Sequence, residues 1–115
     1  MIAQVRPALF TAWRDAAGSA PVVLDVREPW ELQTASVAPV GFVLLHVPMQ
    51  SLPARLTELQ ATYAANQPIA CLCHHGIRSQ QVAHYLTRNG FTHVVNIEGG
   101  IAAWAQELDD GIAHY

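Results

Sequence analysis

Apolar residues along this chain fall into short continuous runs that alternate with stretches of helical spacing. Ile2–Val5, Val22–Val26, Phe42–Val47, Ile69–Cys73 and His93–Ile97 read as strands, several of them bounded by glycine or proline. Between them, Pro7 opens a helix that carries Leu9, Trp13 and Ala16 or Ala17 on one face and stops at Gly18. Pro29 opens a short helix through Leu32. Leu52, Leu56, Leu59 and Tyr63 mark an amphipathic helix that Pro53 helps to start and that ends near Asn66. Val82, Ala83 and Leu86 share a face of a helix over 78–89, with Gly90 as its cap, and Ile101, Trp104, Ala105 and Leu108 form the inward stripe of a last helix, Ile101–Leu108. Strands that are apolar throughout are buried on both faces. The pattern therefore predicts an α/β fold: a parallel sheet of about five strands, covered by helices on both faces and joined by right-handed crossovers. Residues 33–45 carry no pattern that fixes their path.

Composition narrows the possibilities. With 115 residues and 51% apolar content, the chain has material for one core, so residues 1–115 read as a single domain. The net charge of −3 comes with six arginines, no lysine and no basic run, which speaks against nucleic acid or an anionic membrane as partner and for a small molecule or a protein. Arginine without lysine, together with abundant alanine, is compatible with a GC-rich bacterial genome. The apolar stretch Ala8–Trp13 is cut short by Arg14 and Asp15, too early for a signal peptide, and no run is long enough to span a bilayer. A cytoplasmic location is the expectation. Cys71 and Cys73 are too close in sequence to form a disulfide framework, which fits a reducing compartment.

The candidate chemistry sits at Cys73, where the fourth apolar run gives way to a helix. Ligands of open α/β sheets bind outside the carboxyl ends of the strands, and this is such an end. A free thiol with a pKa of ~8.5 is only about 3% ionised at pH 7, whereas a helix N-terminus beside a cation favours the thiolate strongly. Backbone N–H groups of residues 74–79 converge there, and Gly76 allows a close turn around the sulfur. The loop reads as an anion cradle. Four residues separate Cys73 from Arg78, one fewer than the thiol phosphatases place there to enclose a tetrahedral phosphate.

The pattern Cys73-x-x-Gly76-x-Arg78-Ser79 resembles the active-site loop of the rhodanese (sulfurtransferase) family. Val23-Leu24-Asp25-Val26-Arg27-Glu28-Pro29 is similar to that family's N-terminal signature, and Asn96-Ile97-Glu98-Gly99-Gly100-Ile101-Ala102-Ala103-Trp104 to its C-terminal one. The resemblance departs at Ala35–Phe42, where the family usually has Gly-His-Ile-Pro-Gly-Ala; His46-Val47-Pro48 matches again. Membership implies a five-stranded α/β/α domain in which the Cys73 thiolate takes the sulfane sulfur of a donor such as thiosulfate, carries it as a persulfide and passes it to cyanide or a thiol. It implies no metal and no organic cofactor. A sulfur carrier or docking module that works with a partner protein is the alternative, since it needs the same cysteine.

The site expected from these readings has Cys73 as nucleophile, with His74, His75, Gly76, Ile77, Arg78, Ser79 and Arg27 contacting substrate. Cys71, two residues back along the strand, reads as a core thiol. Arg78 stands in the first turn of a helix, against the dipole, and is assigned to an anionic substrate or the thiolate, with an ion pair to a carboxylate as the alternative. Asp25 is expected to cap the backbone that follows it, and Arg27 either to pair with a carboxylate such as Glu98 or to touch substrate. Ser79 caps its helix, donates to the sulfur, or does both. His74 and His75 are expected to gain charge as pH falls toward 6 and so to tighten the hold on a dianion. Four Cys and His residues crowded into residues 71–75, with no second pair elsewhere, do not make a zinc site. His46, His84, His93 and His114 read as structural or solvated, and Trp104 as core.

Overall fold

Strand and helix alternate as the patterning predicts. The computed structural model describes residues 1–18 and 20–115. Its elements run β1 (Ala3–Val5), α1 (Pro7–Ala16), β2 (Val22–Asp25), α2 (Pro29–Thr34), β3 (Val43–His46), a 3-10 turn (Met49–Ser51), α3 (Leu52–Thr62), β4 (Ile69–Leu72), α4 (Ile77–Arg88), β5 (Val94–Ile97) and α5 (Gly100–Glu107). The five strands form one parallel sheet in the order β1-β5-β4-β2-β3. β4 lies at its middle, hydrogen-bonded to β2 on one side and β5 on the other. The loop after β4 thus leaves from the centre of the sheet's carboxyl edge.

The pleat divides the core in two. Ile69, Cys71 and Cys73 point to the face covered by Leu52 and Leu59 of α3 and by Val82, Ala83 and Leu86 of α4. Ala70 and Leu72 point to the other face, against Phe10 of α1 and Ile101, Trp104 and Ala105 of α5. Every residue of β2 and β4 is buried, which is why both are apolar without alternation up to Asp25 at the end of β2, whose charge is paired. β1 and β3 form the edges and are only partly covered.

Two details depart from the sequence expectation, and a third supplies a path that the sequence left open. In α1 the inward residue is Phe10, not Leu9, which is 63% exposed. The Phe10 ring packs 5.6 Å from Trp13, 5.5 Å from Phe42 and 4.9 Å from Trp104, so aromatic packing outweighs the alternative helix face. Leu108 is 41% exposed because α5 ends one residue earlier. The patternless segment is held by side chains from elsewhere: Arg27 Nη2 donates to the Ala35 carbonyl at 2.9 Å and Arg14 Nη1 to that of Val40 at 2.9 Å, while Val37 and Phe42 enter the core.

Deleting the Phe10 ring should cost about 3–5 kcal/mol, whereas Leu9→Ala should stay within about 0.5 kcal/mol. Urea unfolding of the two variants checks this; equal losses would show that the helix face is assigned wrongly.

Candidate active site

Cys73 directly follows β4 and is 1% exposed. The Gly76 N–H donates to its Sγ at 3.1 Å, and the Ser79 hydroxyl lies 3.2 Å away. Gly76 is the N-cap of α4 at φ +101°, and a Cβ there would sit 3.2 Å from the Gly99 nitrogen and 3.5 Å from the Ile97 carbonyl. Both the turn and the space require glycine. The N-terminus of α4 consequently lies against the sulfur, where its dipole favours a negative charge.

The loop is braced from below by α5. Ile101 N–H donates to the Cys73 carbonyl at 2.9 Å and Ala102 N–H to that of His74 at 3.1 Å. These are among the first N–H groups of α5, which lack partners inside the helix. Gly100 adopts φ +62°, and a Cβ on it would fall 2.4 Å from the His74 oxygen and 2.5 Å from that of Cys73. Gly100 of the C-terminal signature has this contact as its physical reason, while a Cβ on Gly99 would meet that of Ala103 at 2.6 Å.

Charge around the loop is more fully paired than the sequence suggests. Arg78 forks onto Glu31, Nη1 to Oε2 at 2.8 Å and Nη2 to Oε1 at 2.9 Å, which is the ion-pair alternative for this residue. Glu31 also accepts the Glu28 N–H at 2.8 Å and the Tyr115 hydroxyl at 3.0 Å. Its carboxyl is lowered to about 2, chiefly by the hydrogen bonds from Arg78 and against the opposing effect of burial.

Arg27 corrects an expectation. It is fully buried and leaves no exposed surface for a substrate to touch. Nε and Nη2 bind Asp25 at 3.0 and 2.8 Å, and Nη1 bonds the Tyr115 hydroxyl at 2.7 Å and the Glu31 carbonyl at 3.3 Å. Its partner is Asp25 and not Glu98, because both side chains turn under the α2 segment, where the Ala35 carbonyl completes the guanidinium's shell. Asp25 does cap the following backbone, accepting the Arg27 N–H at 3.1 Å.

The histidines form a stack: His75 lies 3.9 Å from His74, which lies 3.9 Å from the Tyr115 ring at an interplanar angle of 6°. Burial, then the neighbouring His75, lowers the pKa of His74. The expected gain of charge near pH 6 is therefore opposed at His74. Ile77 is 72% exposed at the first turn of α4, while Ser79 is buried beneath it. Cys71 lies wholly inside the core, and burial drives its thiol far upward, so it is not a competing thiolate. His46 Nε2 sits 2.6 Å from the Arg27 carbonyl, a structural role.

Sequence reasoning missed three residues. Glu31 had a readable signal, an acid in the first turn of a helix opened by Pro29. Asn96 is the one amide in the apolar run Val94–Ile97, and a buried amide in a parallel strand marks a position that needs hydrogen bonds. Tyr115 had none, since only the fold brings it to the loop.

Known proteins share the sequence pattern and the fold. The family model described as "Rhodanese-like domain" matches residues 9–107. A sulfurtransferase of Allochromatium vinosum is 31% identical over 85 residues, which are 74% of this chain and 72% of that one. The thiosulfate sulfurtransferase GlpE of Vibrio cholerae is 32% identical over 82 residues, 71% of this chain and 70% of its own. Among solved structures, a rhodanese-like domain protein from Staphylococcus aureus superposes with a TM-score of 0.72 at 26% identity, covering 99% of each chain.

The Glu31 geometry fixes the sign of a pH effect. A carboxyl whose folded-state pKa is depressed stabilises the fold fully above its unfolded value, and this contribution is lost as pH falls toward about 2. Wild type should lose stability faster than Glu31→Gln between about pH 5 and pH 2, by on the order of 2–3 kcal/mol over the window. Parallel profiles in chemical unfolding would refute the assignment.

Proposed function

The chain belongs to the rhodanese-like domain family, and from that premise we propose that it is a sulfurtransferase working through a persulfide on Cys73. The observation that carries this reading is the sulfur's place at the end of the central strand, with the Gly76 N–H 3.1 Å from Sγ and the N-terminus of α4 against it. The Cys73 thiolate attacks the outer sulfur of a donor such as thiosulfate. A new S–S bond forms, the donor's own S–S bond breaks, and sulfite leaves with the electron pair. An acceptor nucleophile, cyanide or a thiol, then takes the outer sulfur and returns the thiolate. The Gly76 N–H and the N-terminus of α4 hold the anion in both forms. The family and the sulfurtransferases similar to this chain support the reaction class.

A second reading, a sulfur carrier fed by a partner protein, is favoured by one observation. Arg78 and Arg27 are both committed to carboxylates, and His74 is held toward its neutral form, so the loop has little free positive charge for a dianion. Trp30, 60% exposed, and Ile77 offer apolar contact on the segments that carry Glu31 and Arg78. A persulfide presented by a protein makes smaller demands on charge than free thiosulfate.

Intact-mass spectrometry after incubation with thiosulfate should show one added sulfur atom, localised to Cys73. Cys73→Ser should lose it entirely, and Cys71→Ala should keep it at reduced thermal stability. Loading from a protein persulfide but not from thiosulfate selects the carrier reading. Loss of loading in a folded Cys71→Ala protein would replace both with a two-cysteine mechanism.

A further inference from the structure

Ser79 has one hydroxyl proton and two neighbours for it. Its Oγ lies 3.2 Å from Cys73 Sγ and 2.6 Å from Asn96 Oδ1. Which neighbour receives the proton depends on which way the Asn96 amide faces, and the structure decides that. Asn96 Nδ2 donates to the Gly76 carbonyl at 3.1 Å, an acceptor that cannot be reversed, and to Gln4 Oε1 at 2.9 Å. The polarity continues outward: Gln4 Nε2 donates to Gln80 Oε1 at 2.5 Å, and Gln80 Nε2 faces His84 Nε2 at 3.3 Å. Asn96 Oδ1 therefore faces Ser79, and two oxygens 2.6 Å apart need a proton between them. In this arrangement the proton lies toward Asn96, and the lone pair of Ser79 faces the sulfur.

We propose that Asn96 is a positioning residue that withholds the Ser79 proton from Cys73, so that ionisation of the sulfur requires the hydroxyl to turn from Asn96 to Sγ. With the thiol protonated, S–H donates to Ser79 Oγ and the chain is satisfied throughout. When the proton leaves, the thiolate gains the Ser79 hydroxyl only as Asn96 Oδ1 loses it. The exchange opposes ionisation at rest, and the same hydroxyl, once turned, becomes a second donor to the anion beside the Gly76 N–H. The proposal deepens the sulfurtransferase reading above in assigning a role at its nucleophile, but the protonation equilibrium it describes exists without any donor.

The other charged or ionisable groups around the sulfur are Arg78 on α4, paired with Glu31 of α2, Cys71 on β4, and His74 and His75 on the loop; His84 closes the amide chain. Cys71 is replaced in every variant compared and the other groups are common to all of them, so their effects cancel in the difference.

The test follows iodoacetamide alkylation of Cys73 against pH in a Cys71→Ala background. Asn96→Leu removes the competing acceptor and puts an apolar side chain of similar size in its place. It should move the alkylation midpoint down by about one pH unit, a tenfold gain in thiolate fraction at a given pH. Adding Ser79→Ala should abolish that displacement. A midpoint that stays or rises in Asn96→Leu, or an equal displacement with and without Ser79, overturns the proposal. Should Asn96→Leu fail to fold, the wild-type protein decides by NMR: the Asn96 side-chain carbonyl carbon must shift with the same midpoint as Cys73 alkylation, and a resonance that ignores that transition refutes the exchange. Alkylation needs no sulfur donor, so a protein that fails to transfer sulfur still gives a clear answer.

Discussion

The sulfur's surroundings depend on a backbone contact that a side chain would block. The first amides of α5 bond the carbonyls of Cys73 and His74, at an approach that leaves no room for a Cβ on Gly100. With those two carbonyls turned down and held, the following peptides turn their N–H groups the other way, and that of Gly76 reaches Sγ. Two helix N-termini thus meet one loop. One is absorbed in holding the loop's shape, and the other is left to face the anion. A parallel sheet makes this possible, since β4 and β5 are adjacent and both deliver their carboxyl ends to the same edge.

A second layer of order comes from paired charges. Asp25 with Arg27 and Glu31 with Arg78 are joined by the Tyr115 hydroxyl, so β2, α2, α4 and residue 115 share one network. Such pairs do not add stability in proportion to their number, because each ion has been taken from water; their strength lies in the cost of removing one partner alone. Among the described residues no buried side-chain polar atom lacks a partner, so that cost is met nowhere in the native state. The network fixes where Arg78 points.

Strands and helices were legible because burial on both faces leaves a simple trace, a continuous apolar run, and because proline and glycine mark the ends. The position of Cys73 at a strand's carboxyl end followed from the same pattern. What escaped was decided by tertiary choice. Leu9 and Phe10 are both apolar in α1, and only the aromatic cluster of Phe42 and Trp104 selects between them. Arg27 belonged by its sequence neighbours to the active edge, yet a buried arginine finds acceptors through the fold, among them Ala35 and Tyr115, which no spacing reveals. Asn96 was quoted as part of a signature and its hydrogen bonds were still invisible, since they run to residues 4, 76 and 79.

The pairing of Arg78 bears on what the loop can hold. A loop that grips a tetrahedral dianion needs a guanidinium free to fork onto two of its oxygens, and here both Nη atoms already bond Glu31. Displacing that carboxylate would strip it of the partner that chiefly holds its pKa low and leave it almost without solvent, a cost set against any anion that takes its place. Loop length and arginine occupancy therefore argue against phosphate by separate routes. A persulfide is a smaller demand. On the proposed route it would carry one negative charge on a sulfur covalently tied to Cys73, so no affinity would be needed to retain it, and the Gly76 N–H and the N-terminus of α4 would face that charge beside a sulfur almost shut off from water. The arginine's contribution is then geometric. By holding α2 to α4 through Glu31 it keeps the N-terminus of α4 aimed at the sulfur, and the charge that faces the anion is that of the helix.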